Sequence, residues 1–158
     1  MDWMLLPYRR YFDFSGRSRR KEYWMFALLN VIVSTIFYAI MVAGGGAGLL
    51  TAASMDPTLA AAGDPFANVG PLFWIGFIGF CLWALATVIP SIAVTVRRLH
   101  DRNLTGWLYL AVCIAQFIPF VGIIAAIALL VVMVLPGTPG PNKYGFDPKQ
   151  PASVEVFE

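Results

Sequence analysis

Three stretches of this chain carry no charge: between Tyr23 and Asp56, between Asp64 and Arg97, and between Asn103 and Asn142. Each can hold the roughly 20 apolar residues with which a helix crosses the hydrocarbon of a bilayer. Composition agrees. Of 158 residues, 59% are hydrophobic and 13% charged, whereas an ordinary soluble domain runs near half and about a quarter. The polar surface is too small to coat a water-soluble globule, which excludes the common classes of soluble enzyme. The expected fold class is all-α, a polytopic integral membrane protein. It has three to four transmembrane or membrane-embedded helices and a basic cytoplasmic N-terminal segment.

The formal net charge of +2 hides an asymmetry. Arg9, Arg10, Arg17, Arg19, Arg20 and Lys21 precede the first apolar run, opposed by Asp2, Asp13 and Glu22, and Arg97, Arg98 and Arg102 flank Asp101. Basic residues packed against apolar runs set membrane orientation and meet lipid headgroups, and the pattern gives no reason to expect a nucleic-acid partner. Cys81 and Cys113 both fall inside apolar runs, where a free thiol behaves as a small hydrophobe. A lone His100 without thiols at ligand spacing gives no metal site, and no cofactor is indicated.

Taken in order, residues 1–149 read as a single membrane domain. Residues 1–23 form a basic interfacial segment, since Trp3, Tyr8, Tyr11, Phe12, Phe14 and Tyr23 lie among its charges and both residue types favour the headgroup layer. A signal peptide is the alternative, set aside because the apolar part is too long and further spans follow. Span 1 is 24–43, with Asn30 needing a hydrogen-bonding neighbour. The segment 44–71, opening on Gly44-Gly45-Gly46-Ala47-Gly48, reads as a flexible periplasmic loop with room for a short interfacial helix. Span 2 is 72–96, about 37 Å as a helix, with a kink expected at Pro90. Residues 97–106 make a basic loop. The third apolar stretch, 107–135, suits one long tilted helix or, the reading preferred, two short helices turning near Pro119 to Gly122. A Pro/Gly tail follows at 136–149, and 150–158 is expected to be disordered.

The conspicuous polar chemistry sits in three places: Gly16-Arg17-Ser18-Arg19-Arg20-Lys21-Glu22-Tyr23-Trp24, Arg97-Arg98-Leu99-His100-Asp101 with Trp107 close behind, and Gly137-Thr138-Pro139-Gly140-Pro141-Asn142-Lys143-Tyr144-Gly145-Phe146-Asp147-Pro148. In order and spacing these resemble the motifs of the domain of unknown function 805 family, small bacterial inner-membrane proteins. The resemblance spans about residues 10 to 149. The long Ala/Gly loop after span 1 and the run Asp101-Arg102-Asn103-Leu104 depart from the commoner pattern. The resemblance implies an inner-membrane location and a helical fold, but no activity.

Function must therefore be read from the residues. Arg17, Arg19, Arg20 and Lys21 are a positive-inside determinant able to contact lipid phosphate, or more sharply a specific anion pocket. Glu22 at the membrane boundary needs a partner, either Arg19 three residues away or Arg97 or Arg98 from the other motif. His100 and Asp101 invite a general-base reading, but no nucleophile motif accompanies them, and no catalytic residue is assigned. The expected arrangement is one polar cluster or lipid-phosphate contact at the cytoplasmic boundary, drawn from Arg17, Arg19, Arg20, Glu22, Arg97, Arg98, His100, Asp101, Asn142 and Asp147. The expected function is that of a non-enzymatic inner-membrane organiser or binder of a partner protein or anionic lipid at the cytoplasmic face. A small oligomeric transporter or channel is the second reading, and a membrane enzyme acting on lipid-linked phosphate the third. The expected partners are anionic headgroups and either a second copy or another membrane protein.

Overall fold

The structure, a computed structural model, describes residues 2–48 and 69–149. Most of the expected loop after span 1 and the expected disordered tail lie outside these residues. The described residues are helical: α1 (Asp2–Arg9), α2 (Arg20–Met41) with a π-helical continuation (Val42–Gly46), α3 (Pro71–Asp101), α4 (Trp107–Ala115) and α5 (Val121–Val134). The one bridge among them pairs Asn142 with Gly145.

Two of these helices are long and apolar enough to cross a membrane. The first, Arg20–Gly46, has 27 residues and the second, Pro71–Asp101, has 31. At 1.5 Å per residue they measure about 40 and 46 Å, more than a hydrocarbon core of about 30 Å requires. Little of either is buried within the protein, and side chains such as Val31, Ile36, Ile75, Leu82 and Leu85 are exposed. A helix that is apolar all round and uncovered by protein suits a lipid environment.

Both helices outrun the limits set from composition. Val42 to Gly46 carry α2 on as a π-helical turn that kinks at Gly45, whose φ of 99° is not helical. Arg97 to Asp101 is the last turn of α3 rather than part of a basic loop. A charged helix end is tolerable there because its ions are paired, as described below.

The chain divides into two compact units, one made of Met1–Leu28 and Val88–Glu158, the other of Leu29–Thr87. The second unit joins the later part of α2 to the earlier part of α3 through glycine. The Gly70 amide donates to the Gly44 carbonyl at 2.9 Å, and a Cβ on Gly44 would overlap the backbone of Phe73. Cβ atoms on Gly76 and Gly79 would meet Met41 and Phe37. Close approach between helix backbones is what small residues permit in membrane proteins, where packing rather than water exclusion drives association.

In the first unit the third apolar stretch is a helical hairpin. Helix α4 stops at Ala115, and a turn of Gln116 to Phe120 leads into α5. Gly122 allows the two arms to meet, since a Cβ there would sit 2.9 Å from Gln116 Cα and 3.1 Å from the Ala115 carbonyl oxygen.

Candidate functional site

The buried centre of the first unit is charged. Arg17, Ser18, Glu22, Arg97, Arg98 and Asp101 are all buried, and the guanidinium-bearing side chains of Arg97 and Arg98 are fully enclosed. Arg17 and Ser18 come from the segment before α2, Glu22 from its first turn, and the other three from the C-terminal turn of α3. The Ser18 amide donates to the Arg97 carbonyl at 3.1 Å, holding the two motifs together through backbone.

Asp101 is the hub. Its Oδ1 accepts from Arg17 Nε at 3.0 Å, with Arg17 Nη2 at 2.9 Å, and its Oδ2 pairs with Arg98 Nη1. Each guanidinium then reaches the Pro/Gly tail. Arg17 Nη1 donates to the Gly140 carbonyl at 2.6 Å and Nη2 to that of Thr138 at 2.5 Å, while Arg98 donates to the carbonyls of Met133 and Leu135. Arg102 donates to the Pro136 carbonyl. One carboxylate thus fixes two arginines, and the arginines bond backbone carbonyls where the hairpin returns. Charge-assisted bonds of this kind are about twice as strong as neutral ones. Gly137 completes the fit because any Cβ there would overlap the Asp101 carboxylate.

Glu22 makes the second pair. Its Oε1 lies 3.2 Å from Arg97 Nη2, with both side chains almost fully enclosed. Of the partners open to Glu22 in the sequence, this is the long-range one. Arg97 Nε and Nη1 and the Ser18 hydroxyl have no hydrogen-bond partner among the described residues, so this pair is electrostatically matched but less fully bonded than the Asp101 hub.

His100 and Asn142 bind the tail from the other side. The His100 ring stacks on Tyr144 with centroids 3.8 Å apart and planes 6° from parallel, and its Nδ1 lies 3.2 Å from the Gly16 carbonyl. Asn142 Nδ2 donates to the His100 carbonyl at 3.0 Å and to Thr138 Oγ1 at 3.1 Å, and Asn142 Oδ1 accepts from the Tyr144 amide at 2.9 Å. Asp147 stays outside the charged core, accepting from the Lys149 amide at 2.9 Å and the Gly140 amide at 3.3 Å. Those amides, the Lys149 one foremost, hold its carboxyl below the usual carboxylate range.

The ten residues singled out in the sequence therefore separate by role. Arg17, Glu22, Arg97, Arg98, His100, Asp101 and Asn142 knit α2, α3 and the tail together, with Asp147 bracing the tail's own turn. Arg19 and Arg20 remain outward. Arg19 is partly exposed and Arg20 exposed, as is Lys21 beside them. The guanidinium carbon of Arg19 and Nζ of Lys21 each lie 5.7 Å from the centre of the Trp3 ring on α1. Thr138, Gly137 and the carbonyls of Gly16, Met133 and Leu135 are contacts that side-chain reasoning did not single out, although Gly137 and Thr138 stand within the tail motif.

The fixed geometry bears on chemistry. Both Asp101 oxygens face guanidinium groups, so this carboxylate does not orient His100 as a catalytic Asp would.

A family described as "Protein of unknown function (DUF805)" matches residues 11–146, an interval that contains most of these contacts. The chain belongs to that family. Among its relatives, the DUF805 chain is 36% identical over 149 residues to inner membrane protein YhaI of Escherichia coli strain K12, covering 94% of this chain and 97% of the relative. It is 31% identical over 154 residues to inner membrane protein YhaH of the same strain, covering 94% and 98%. No solved structure matches it significantly. With the long apolar helices, these likenesses make the DUF805 chain an all-helical bacterial inner-membrane protein.

Proposed function

We propose that this protein is a non-enzymatic, multi-pass organiser at the cytoplasmic face of the inner membrane that binds anionic phospholipid headgroups. The observation that carries the reading is the division of its basic residues. Arg17, Arg97 and Arg98 are spent on internal carboxylates, whereas Arg19, Arg20 and Lys21 are left facing outward at the start of an apolar helix. Trp3 lies against two of these three, and Leu5, Phe12 and Phe14 are exposed nearby in sequence. Cations and aromatic rings at the mouth of an apolar helix are the composition of the headgroup layer.

A cleft of about 200 Å³ lined by Arg19, Arg20, Thr138 and Lys149 gives two of these cations, with Lys149, a common focus. It also includes Asp101 and Asp147, but guanidinium groups neutralise the first and two backbone amides satisfy the second. Its size suits a phosphate group better than a large substrate, since drug-sized ligands occupy roughly 300–1,000 Å³.

The test is native mass spectrometry from mild detergent after equilibration with equal amounts of phosphatidylglycerol and phosphatidylethanolamine. The parent should retain the anionic lipid preferentially. Combined Arg19→Gln and Lys21→Gln should weaken the preference without lowering the melting temperature, because neither side chain holds an internal carboxylate; adding Arg20→Gln should weaken it further, at the cost of the bond from Arg20 to the Val134 carbonyl. Equal retention of both lipids by the parent, or an unchanged preference in the double and triple variants, overturns the proposal. The same spectra report stable oligomers, which the transporter reading requires.

A further inference from the structure

We infer that the hairpin formed by α4 and α5 is a re-entrant wedge. It enters the bilayer from the face that carries the polar cluster, ends within the hydrocarbon, and is covered there by the acyl chains of that leaflet. This goes beyond headgroup binding and does not depend on it.

Both ends of the hairpin are tied to the same place. At its start, the Leu104 amide bonds the Leu99 carbonyl at 3.0 Å, and Gly106 packs beside Val96 and His100. At its finish, Arg20 and Arg98 hold the carbonyls of Val134, Met133 and Leu135, and the Thr138 amide donates to the Asp101 carbonyl at 2.9 Å. Chain that leaves and returns to one polar cluster begins and ends on one side of the membrane.

Its arms are too short to reach the other side. Helix α4 has 9 residues and α5 has 14, so they measure about 14 and 21 Å. A hydrocarbon core is about 30 Å thick, which puts the turn near its middle. The arms run inward rather than along the surface. Tyr109, Leu110 and Cys113 of α4 share one cavity wall with Ile92 and Val96 of α3, so α4 descends α3 away from its charged end.

The turn is built for hydrocarbon. Phe117 is 88% exposed and Phe120 79%, with Ile118 and Val121 exposed beside them, where a turn in water would carry polar residues. A lipid-exposed turn must satisfy its backbone internally. Here the amides of Phe117, Ile118 and Gly122 donate to the carbonyls of Ile114, Ala115 and Ile118 at 3.0 to 3.1 Å, and that of Val121 to Pro119 at 2.8 Å. Pro119 has no amide hydrogen to satisfy. Gln116 supplies the turn's one polar side chain, and its Nε2 donates to the Gly122 carbonyl at 3.2 Å. Along α5, Ile123, Ile124, Ile127, Leu130 and Val134 are all exposed.

The test places a nitroxide on the full-length chain in sealed phosphatidylethanolamine/phosphatidylglycerol vesicles. Single cysteines replace Phe117, Ile123 or Trp107 after Cys81→Ser and Cys113→Ala. All three positions are exposed, so each label should be tolerated, and Ile123 reports on the hairpin should Phe117 fail. Labels at 117 and 123 should collide with oxygen and be shielded from a water-soluble nickel chelate, while the label at 107 should be open to nickel. Access of the chelate to 117 or 123 from inside the vesicles would mean that the hairpin spans. Access from the same side as 107 would mean that it lies on the surface. Either result overturns the inference.

Discussion

At the residue scale, Asp101 and Glu22 should differ in what their loss costs. Asp101→Asn leaves Arg17 and Arg98 enclosed without an anion, and breaking a buried pair by removing one partner costs about 3–5 kcal/mol. Glu22→Gln strands only Arg97 and should cost less, read as a smaller drop in melting temperature in detergent. The two carboxylates share no partner, so their double variant should fall close to the sum of the singles. By contrast, Arg17→Gln combined with Asp101→Asn should fall well short of its sum. A strongly non-additive Glu22/Asp101 pair would mean that the two ion pairs behave as one. Asp147 offers a test by pH. Its carboxyl is held below the usual range, so its stabilisation is complete above the ordinary value near ~3.9 and is lost as pH falls through the lower folded value. The amide resonances of Gly140 and Lys149 should titrate with a midpoint below that ordinary value, and in Asp147→Asn they should not titrate with it.

At the scale of elements, two glycines carry sharp expectations. Gly137→Ala places a methyl group on the Asp101 carboxylate and should lower the melting temperature nearly as much as Asp101→Asn. Gly79→Ala drives a methyl into the Phe37 ring, with a Cβ landing close to its Cε1. Forcing atoms into a packed contact costs about 1–3 kcal/mol, whereas Gly48→Ala meets nothing and should be silent in the same melting assay. The same glycines explain where the sequence was legible and where it was not. Charge-free runs marked the apolar elements, because a bilayer penalises charge along the whole length of a span. Neither end of the long helices could be placed that way. Gly44 to Gly46 has the composition of a linker, and here it forms a kinked turn, broken at Gly45, that packs against Phe73, far along the chain. Arg97 to Asp101 has the composition of a loop, and its helical state depends on Glu22 and Arg17, 84 residues before Asp101 in the latter case. The motifs named most of the clustered side chains. They could not say that Arg19 and Arg20 face outward while Arg17 faces inward, since that follows from how the chain turns into α2.

At the scale of the whole molecule, the remaining question is which way the protein faces. Nine of the eleven basic residues stand before the first apolar run or between Arg97 and Arg102, and the segment between the two long helices has none. The positive-inside rule counts basic residues in short flanks near span ends, so it predicts that both basic flanks lie in the cytoplasm. The polar cluster adds an independent constraint: Arg17 and Arg98 bond Asp101 and the tail carbonyls, and Arg97 pairs with Glu22, so these groups share a single compartment whichever one it is. Orientation is then a binary choice, readable from two positions. Cysteines placed at Ser15, which is exposed, and at Ser54, in the acidic segment, should behave oppositely toward a thiol reagent that cannot cross the inner membrane. In cells with a permeabilised outer membrane, the cysteine at 54 should label and the one at 15 only after lysis. Labelling at 15 but not at 54 would turn the molecule over, moving the outward arginines and the mouth of the hairpin to the periplasm. Labelling at both would mean that positions 15 and 54 share a side, which a single crossing between them does not allow.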